Sequence, residues 1–269
     1  MKRSIELPPS DVNTVFDPNQ HLTSAQDVHF AQRASSWSDR YESSPSFRAR
    51  LQLVGRAIDN ILRDRPQPRV LDFGGGTGVF SVLASRWSAN AVCVDRSLPM
   101  LAKGADKQRA IEDVVRRAGF DGPFGHVSRV VGDGRCAGSL RMEFDLIVAI
   151  AVLEYVTDVA FELDELARLM RDDGTILITV PNRMSPVRIG QLMIRPLLNV
   201  NRATRGRLAD QSFVGIRPSG DRVPWRAAAD AAGLVVNRIE ELPLGLSGVR
   251  RWFHPTLMVS LCRPKGSNA

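Results

Sequence analysis

The sequence predicts an α/β fold in which a mostly parallel sheet carries helices on both faces. Two observations predict it. Short apolar runs alternate with helical stretches through the middle of the chain, and strands separated by helices pair in parallel and are covered on both sides. A glycine-rich turn, VLDFGGGTGVFS at residues 70–81, joins the first of these runs to the helix after it. Such a turn brings backbone close to a ligand at a helix N-terminus.

The elements follow in order. Residues 1–26 are polar and contain proline, a composition expected to be ordered only in part. From Asp27 to Arg65 apolar residues recur at helical spacing. Phe30, Ala34, Trp37 and Tyr41 form one stripe; Phe47, Leu51, Val54, Ile58 and Ile61/Leu62 form another after Pro45. Pro66 and Pro68 end that helix. Buried strands are expected at Arg69–Phe73, Ala91–Asp95, Val127–Val131, Phe144–Ile150 and Thr175–Val180. Helices are expected at Phe80–Trp87, Leu98–Arg117, a short stretch near 136–141, and Val159–Arg171. Regularity fails for about forty residues after Pro181, then resumes with a helix at Trp225–Ala232 and strands at Leu234–Glu240 and Thr256–Arg263.

Composition sets limits. The 269 residues are 43% hydrophobic and 24% charged, ordinary values for a globular chain large enough to bury a full core. The longest apolar run, Leu146 to Leu153, is far shorter than the ~20 residues a spanning helix needs. The start, MKRSIELPPSD, has no apolar core of signal-peptide length. Cys93, Cys136 and Cys262 are odd in number and far apart, which disfavours a disulfide framework or a zinc site. A soluble enzyme of a reducing cytoplasm, without a metal, is the expectation. Net charge is +7, and the segment Arg183–Arg226 accounts for all of it with nine Arg against Asp210 and Asp221. The basic character is local, as an anionic partner would require.

The glycines run Gly74, Gly76, Gly78. A dinucleotide fold would place its third glycine at Val79, so this spacing disfavours NAD, and no P-loop pattern is present. Asp95 ends the second strand, where a carboxylate can accept hydrogen bonds from both ribose hydroxyls. Alternatively it caps the helix beginning at Ser97, although Ser97 itself is the better expected cap. The third strand ends in Gly132-Asp133-Gly134, and the fourth runs into FDLIVAIAVLEYVTD.

With these motifs the chain resembles the class I S-adenosylmethionine-dependent methyltransferases, in particular the small-molecule group that includes quinone-biosynthesis enzymes. The resemblance spans about Arg69 to Val180. It implies a Rossmann-like sheet of seven strands with the last antiparallel, a role that Thr256–Arg263 fits. It implies that Asp72 and Gly74, Gly76 and Gly78 sit against the methionine part of S-adenosyl-L-methionine. Asp95 would bind the ribose, with Arg96 and the stretch Leu98 to Met100 beside the adenine. Asp133, followed by Gly134, would meet the adenine amino group, and Ala149 and Ile150 would supply backbone. Residues 1–65 would form an N-terminal segment and helical lid, with Tyr41 over the cofactor, although Trp37 and Tyr41 equally fit a buried stripe. Residues 66–181 would form the core, 182–224 an inserted substrate cap, and 225–269 the completion of the sheet.

Two departures matter. Many relatives have LEH where this chain has Leu153-Glu154-Tyr155. The missing His removes a candidate base, so Glu154 and Tyr155 are carried as catalytic candidates beside His254, which precedes the last strand. His21 and His29 come next, and His126 reads as structural. There is also no NPPY or DPPY after the fourth strand, which disfavours methylation of adenine or cytosine nitrogens. In the cap, Arg183, Arg188 and Arg195 accompany an apolar set, Ile189, Leu192 and Met193, as suits an anionic acceptor with an apolar body or docking at the inner face of a membrane. The leading expectation is methyl transfer to a small-molecule or lipid-like acceptor, at oxygen. An RNA methyltransferase is the alternative, disfavoured by only two stacking aromatics in the basic segment, Phe213 and Trp225. A noncatalytic cofactor-binding protein is a third reading.

Overall fold

The structure is a computed structural model, and it describes residues 25–88, 90–133, 140, 142–182, 185, 186, 189, 225–242 and 256–264. Among these, α1 (Ala25–Arg33), a 3-10 turn (Ala34–Ser36), α2 (Arg40–Ser43) and α3 (Pro45–Leu62) precede the sheet. β1 (Val70–Phe73), α4 (Val79–Ala84), β2 (Asn90–Asp95), α5 (Leu98–Asp106), α6 (Gln108–Arg117) and β3 (His126–Val131) follow. Then come β4 (Phe144–Ala149), α7 (Val159–Leu169), β5 (Met170–Pro181), α8 (Trp225–Ala231), β6 (Val235–Leu242) and β7 (Thr256–Cys262). The seven strands lie in the order β3-β2-β1-β4-β5-β7-β6, and β7 is antiparallel to both its neighbours.

The inner strands β1, β2 and β4 are largely apolar because both their faces are covered, whereas β6, at the edge of the sheet, is largely exposed. Val70, Ala91, Cys93, Leu146 and Val148 face Leu51, Val54 and Ile58 of α3 and Leu83 of α4. Their alternates Leu71, Val92, Val94, Ile147 and Ala149 face Leu163 and Leu166 of α7 and Ala228 and Ala229 of α8. Period-two alternation therefore divides two cores rather than core from water. α3 starts with Pro at its first turn and buries Leu51, Val54, Ile58 and Leu62 completely, which contributes about 1.5–3 kcal/mol for each. Asp158 caps α7, accepting the Ala160 and Phe161 amides at 3.1 and 3.0 Å.

Several boundaries differ from the sequence reading. The helix expected over Leu98–Arg117 is two helices, broken at Lys107. The break lets Lys107 Nζ reach back to the Ser35 carbonyl at 2.8 Å and Asp39 at 3.1 Å. β5 begins at Met170, inside the stretch expected to be helix, because Met170 pairs with Phe144 before a register shift. The first helical stretch breaks at Trp37–Asp39 as well as at Pro45. The short helix expected near 136–141 lies, Leu140 apart, outside the described residues, as does the cap beyond Ile189. No described helix is long and apolar enough to cross a membrane.

Candidate active site

β1 and β4 are neighbours, whereas the chain moves outward from β1 to β2 and β3 on one side and from β4 to β5 on the other. The carboxyl ends of β1 and β4 therefore border a crevice, the position at which doubly wound sheets bind ligands. The glycine loop leaves β1 there. Gly74, Gly76 and Gly78 adopt φ of +66°, +59° and +80°, a left-handed conformation that costs other residues strain. The Gly74 and Gly75 amides donate to the Val94 carbonyl at 2.7 and 3.2 Å, which hooks the loop onto the end of β2.

Two carboxylates hold this loop. Asp72 is 1% exposed beneath it, and its Oδ2 accepts the Ser81 amide at 2.9 Å and the Ser81 hydroxyl at 2.6 Å. Burial pushes its pKa up to about 6, the Ser81 bonds oppose the rise, and the charge of Asp95 adds to it. Asp95 accepts the Gly76 amide through Oδ2 and the Ser97 amide through Oδ1, both at 2.7 Å. The expectation that Ser97 caps α5 with its own side chain is corrected: its hydroxyl makes no capping bond and is buried with no partner among the described residues. The second residue of the helix is Pro99, which has no amide proton to give, and the Met100 amide donates to the Ser97 carbonyl at 3.0 Å instead. The Gly132 amide donates to the Asp95 carbonyl at 3.0 Å, which brings Asp133 to the same edge.

The structure gathers several predicted residues around Gly76. A side chain at Gly76 would come within 2.9 Å of Met100 Cε, 3.9 Å of Asp95 Oδ2 and 4.0 Å of Trp37 Nε1. Arg96 is exposed beside them. Ala149 is fully buried at the end of β4. Ala151, two residues on, has φ +58° and donates its amide to Thr179 Oγ1 at 2.7 Å. A non-glycine residue in that region, at the mouth of the crevice, is the kind of strain that marks functional sites. Val152 stands against Gly74, where a side chain would meet it at 2.5 Å. Glu154 and Tyr155 follow in a turn closed by the Tyr155 amide and the Val152 carbonyl at 2.8 Å.

Tyr41 is 6% exposed and packs edge-to-face on Phe47 and Phe80 at 5.1 and 5.9 Å, in the core formed with α3 and α4. Burial raises its pKa to about 12. The aromatic of this segment that reaches the glycine loop is Trp37, which the sequence reading left in the buried stripe. Its neighbour in the stripe, Phe30, meets Tyr155 at 5.3 Å. Neither Ala151 nor Thr179 gave a sequence signal, since both sit within ordinary strand-like runs. Gly134, Arg183, Arg188, Arg195, His254 and His21 lie outside the described residues. His29 lies on α1, its Nδ1 2.7 Å from Arg33, with its pKa lowered by burial and by Arg33 and Arg40. His126 is the first residue of β3, on its exposed amino end. No group of three or more His, Cys, Asp or Glu that could hold a metal occurs among the described residues.

The donor set fits a nucleoside ligand carrying a cationic amino-acid end. Asp95 and Asp133 stand at adjacent strand ends. The buried hydroxyls of Thr77, in the glycine loop, and Ser97 make no hydrogen bond among the described residues, and a buried orphan of this kind calls for a partner.

Comparison with known proteins agrees with this geometry. The structure of magnesium protoporphyrin IX methyltransferase from Synechocystis PCC 6803, with S-adenosylhomocysteine bound, superposes with a TM-score of 0.59 at 15% identity, covering 88% of this chain and 99% of that one. The N-methyltransferase NodS from Bradyrhizobium japonicum WM9, also with S-adenosylhomocysteine, gives 0.53 at 14% identity, covering 89% and 97%. YcgJ from Bacillus subtilis gives 0.51 at 17%, covering 80% and 98%. No curated protein sequence matches the chain. Residues 46–236 match the methyltransferase domain family, and the chain is a class I S-adenosylmethionine-dependent methyltransferase.

Proposed function

We propose that this methyltransferase acts at oxygen on a small-molecule or lipid-like acceptor that carries an anionic group and an apolar body. The observation that carries the reading is the segment Arg183–Arg226. It supplies nine arginines and two acids directly after β5, whose end lies beside that of β4. A basic segment entering from that edge suits an acceptor whose charge must be neutralised as it approaches the crevice. Arg183, Arg188 and Arg195 are the proposed contacts, and residues 182–224 the proposed cap. The same features suit contact with an anionic membrane surface in the cytoplasm.

S-adenosylmethionine supplies a methyl group already activated by its sulfonium, so the protein's task is alignment and exclusion of water. In our reading Asp95 accepts the ribose hydroxyls and Asp133 the adenine amino group, while Arg96 and Met100 border the adenine. Gly74, Gly76 and Gly78 let the backbone approach the ligand closely. Asp72, ionised above about pH 6, places negative charge beneath its cationic methionine end. Ala149 offers its carbonyl at the end of β4. Glu154 and Tyr155 face the acceptor from the turn after β4. His254 is the candidate base, needed only if the acceptor hydroxyl is poorly ionised.

Three measurements test this. Calorimetry should detect S-adenosylmethionine and not NADH. Transfer of labelled methyl should then go to the small-molecule and lipid fractions of a cell extract rather than to RNA. For the acceptor so found, R188E/R195E should raise KM severalfold with cofactor affinity unchanged, and the parent should lose acceptor affinity with salt. Normal turnover by the double variant, with a parent indifferent to salt, would remove the basic cap from the reading.

A further inference from the structure

Phe30 connects the two ends of the crevice. Its ring meets Trp37 edge-to-face at 5.7 Å and Tyr155 edge-to-face at 5.3 Å. Trp37 stands over Gly76 on the cofactor side, whereas Tyr155 belongs to the turn after β4. The N-terminal segment is also tied down at its other side, where Lys107 binds the Ser35 carbonyl and Asp39. Those bonds are exposed, and exposed ion pairs hold weakly. Edge-to-face aromatic contact is insensitive to salt and needs a defined geometry. All three rings are only partly buried, so they can part and re-form without disrupting the core.

We propose that Phe30 is a positioning residue that latches the N-terminal segment to the turn carrying Tyr155. Closure over the cofactor and placement of Tyr155 beside the acceptor are then a single event. Opening of the Phe30–Tyr155 contact precedes release of the demethylated cofactor. The proposal rests on the cofactor assignment made above and adds to it the residue pair that controls exchange.

The test is stopped-flow release of S-adenosylhomocysteine from the full chain. F30A and Y155A should each speed release about 3- to 10-fold, the range an aromatic pair supports. The double variant F30A/Y155A should be no faster than the faster single, because both singles already break the shared Phe30–Tyr155 contact. F30W, which keeps an aromatic edge, should stay near the parent rate. F30L preserves apolar bulk without the ring and replaces F30A if that variant does not fold. Parent-like release in both singles, or multiplied rates in the double, overturns the latch. Failure of the parent to bind S-adenosylhomocysteine overturns the cofactor assignment instead, and the latch with it.

Discussion

Asp95 accepts the Gly76 amide with one carboxylate oxygen and the Ser97 amide with the other, each at 2.7 Å. One side chain thereby fixes both the middle of the glycine loop and the start of α5. Both bonds hold the carboxylate at the end of β2, the position at which it would meet ribose hydroxyls in the proposed reading. Asp95→Ala should weaken S-adenosylmethionine binding at least tenfold, since each bond to a charged acceptor contributes about 1.5–3 kcal/mol. Calorimetry on a variant with parent-like circular dichroism checks this, and an unchanged Kd would refute the ribose assignment.

At Gly76 the backbone conformation disfavours a side chain, and Met100 would have to move to admit one. Gly76→Val should abolish cofactor binding, because φ is +59° and the side chain would fill the space between Met100 Cε at 2.9 Å and Asp95 Oδ2 at 3.9 Å that the reading gives to the ligand. Gly233 is the control: its φ is +67°, but a side chain there meets nothing within 4 Å among the described residues. Gly233→Ala should cost about 1–2 kcal/mol of stability from backbone strain alone, with cofactor affinity at the parent value. A folded Gly76→Val variant that still binds tightly would reduce the loop to a turn.

Asp72 predicts a pH dependence of stability. Its folded pKa, about 6, lies above the ordinary 3.8, so the fold favours the protonated form. Its contribution is therefore complete below pH ~4, declines as pH rises to about 6, and is level above that. A shift of about 2 units corresponds to about 3 kcal/mol. Urea titrations of the cofactor-free protein at several pH values should show a decline between pH 4 and 6 that is absent in Asp72→Asn. Identical slopes in the two proteins would contradict the assignment.

Thr179 is the acceptor that holds Ala151 in its left-handed conformation. Thr179→Val keeps the shape of a residue 2% exposed but leaves the Ala151 amide without its partner. The cost should be about 1–3 kcal/mol, read as a lower urea midpoint. Cofactor affinity should fall as well, since the end of β4 shifts, and Thr179→Ser should recover both. A neutral Thr179→Val would show that Ala151 is held by packing.

The inner strands β1, β2 and β4 were legible in the sequence because they are buried on both faces, and burial is what a run of apolar residues records. Arg69–Phe73 and Phe144–Ile150 differ from the observed β1 and β4 by single residues at their ends. β5 was misjudged at its start because Arg171, Asp172 and Asp173 are exposed. Only the long-range pairing of Met170 with Phe144 makes that stretch a strand. The break at Lys107 was hidden for a similar reason, since the apolar spacing of α5 and α6 continues across it.

The glycine spacing and the acids at strand ends were likewise determined by the sequence, because they state which positions tolerate no side chain and which carry charge. What tertiary structure decided is which groups meet. Tyr41 and Trp37 share one helical stripe in the sequence. Yet Tyr41 is packed among Phe47 and Phe80, while Trp37 reaches Gly76, because the chain breaks between them and turns the two rings apart. Asp95 holding Gly76, and Phe30 meeting Tyr155, join residues 19 and 125 positions apart. Local pattern records burial and backbone freedom; contacts across such separations depend on how the packed helices and strands stand to one another, which no short stretch of sequence encodes.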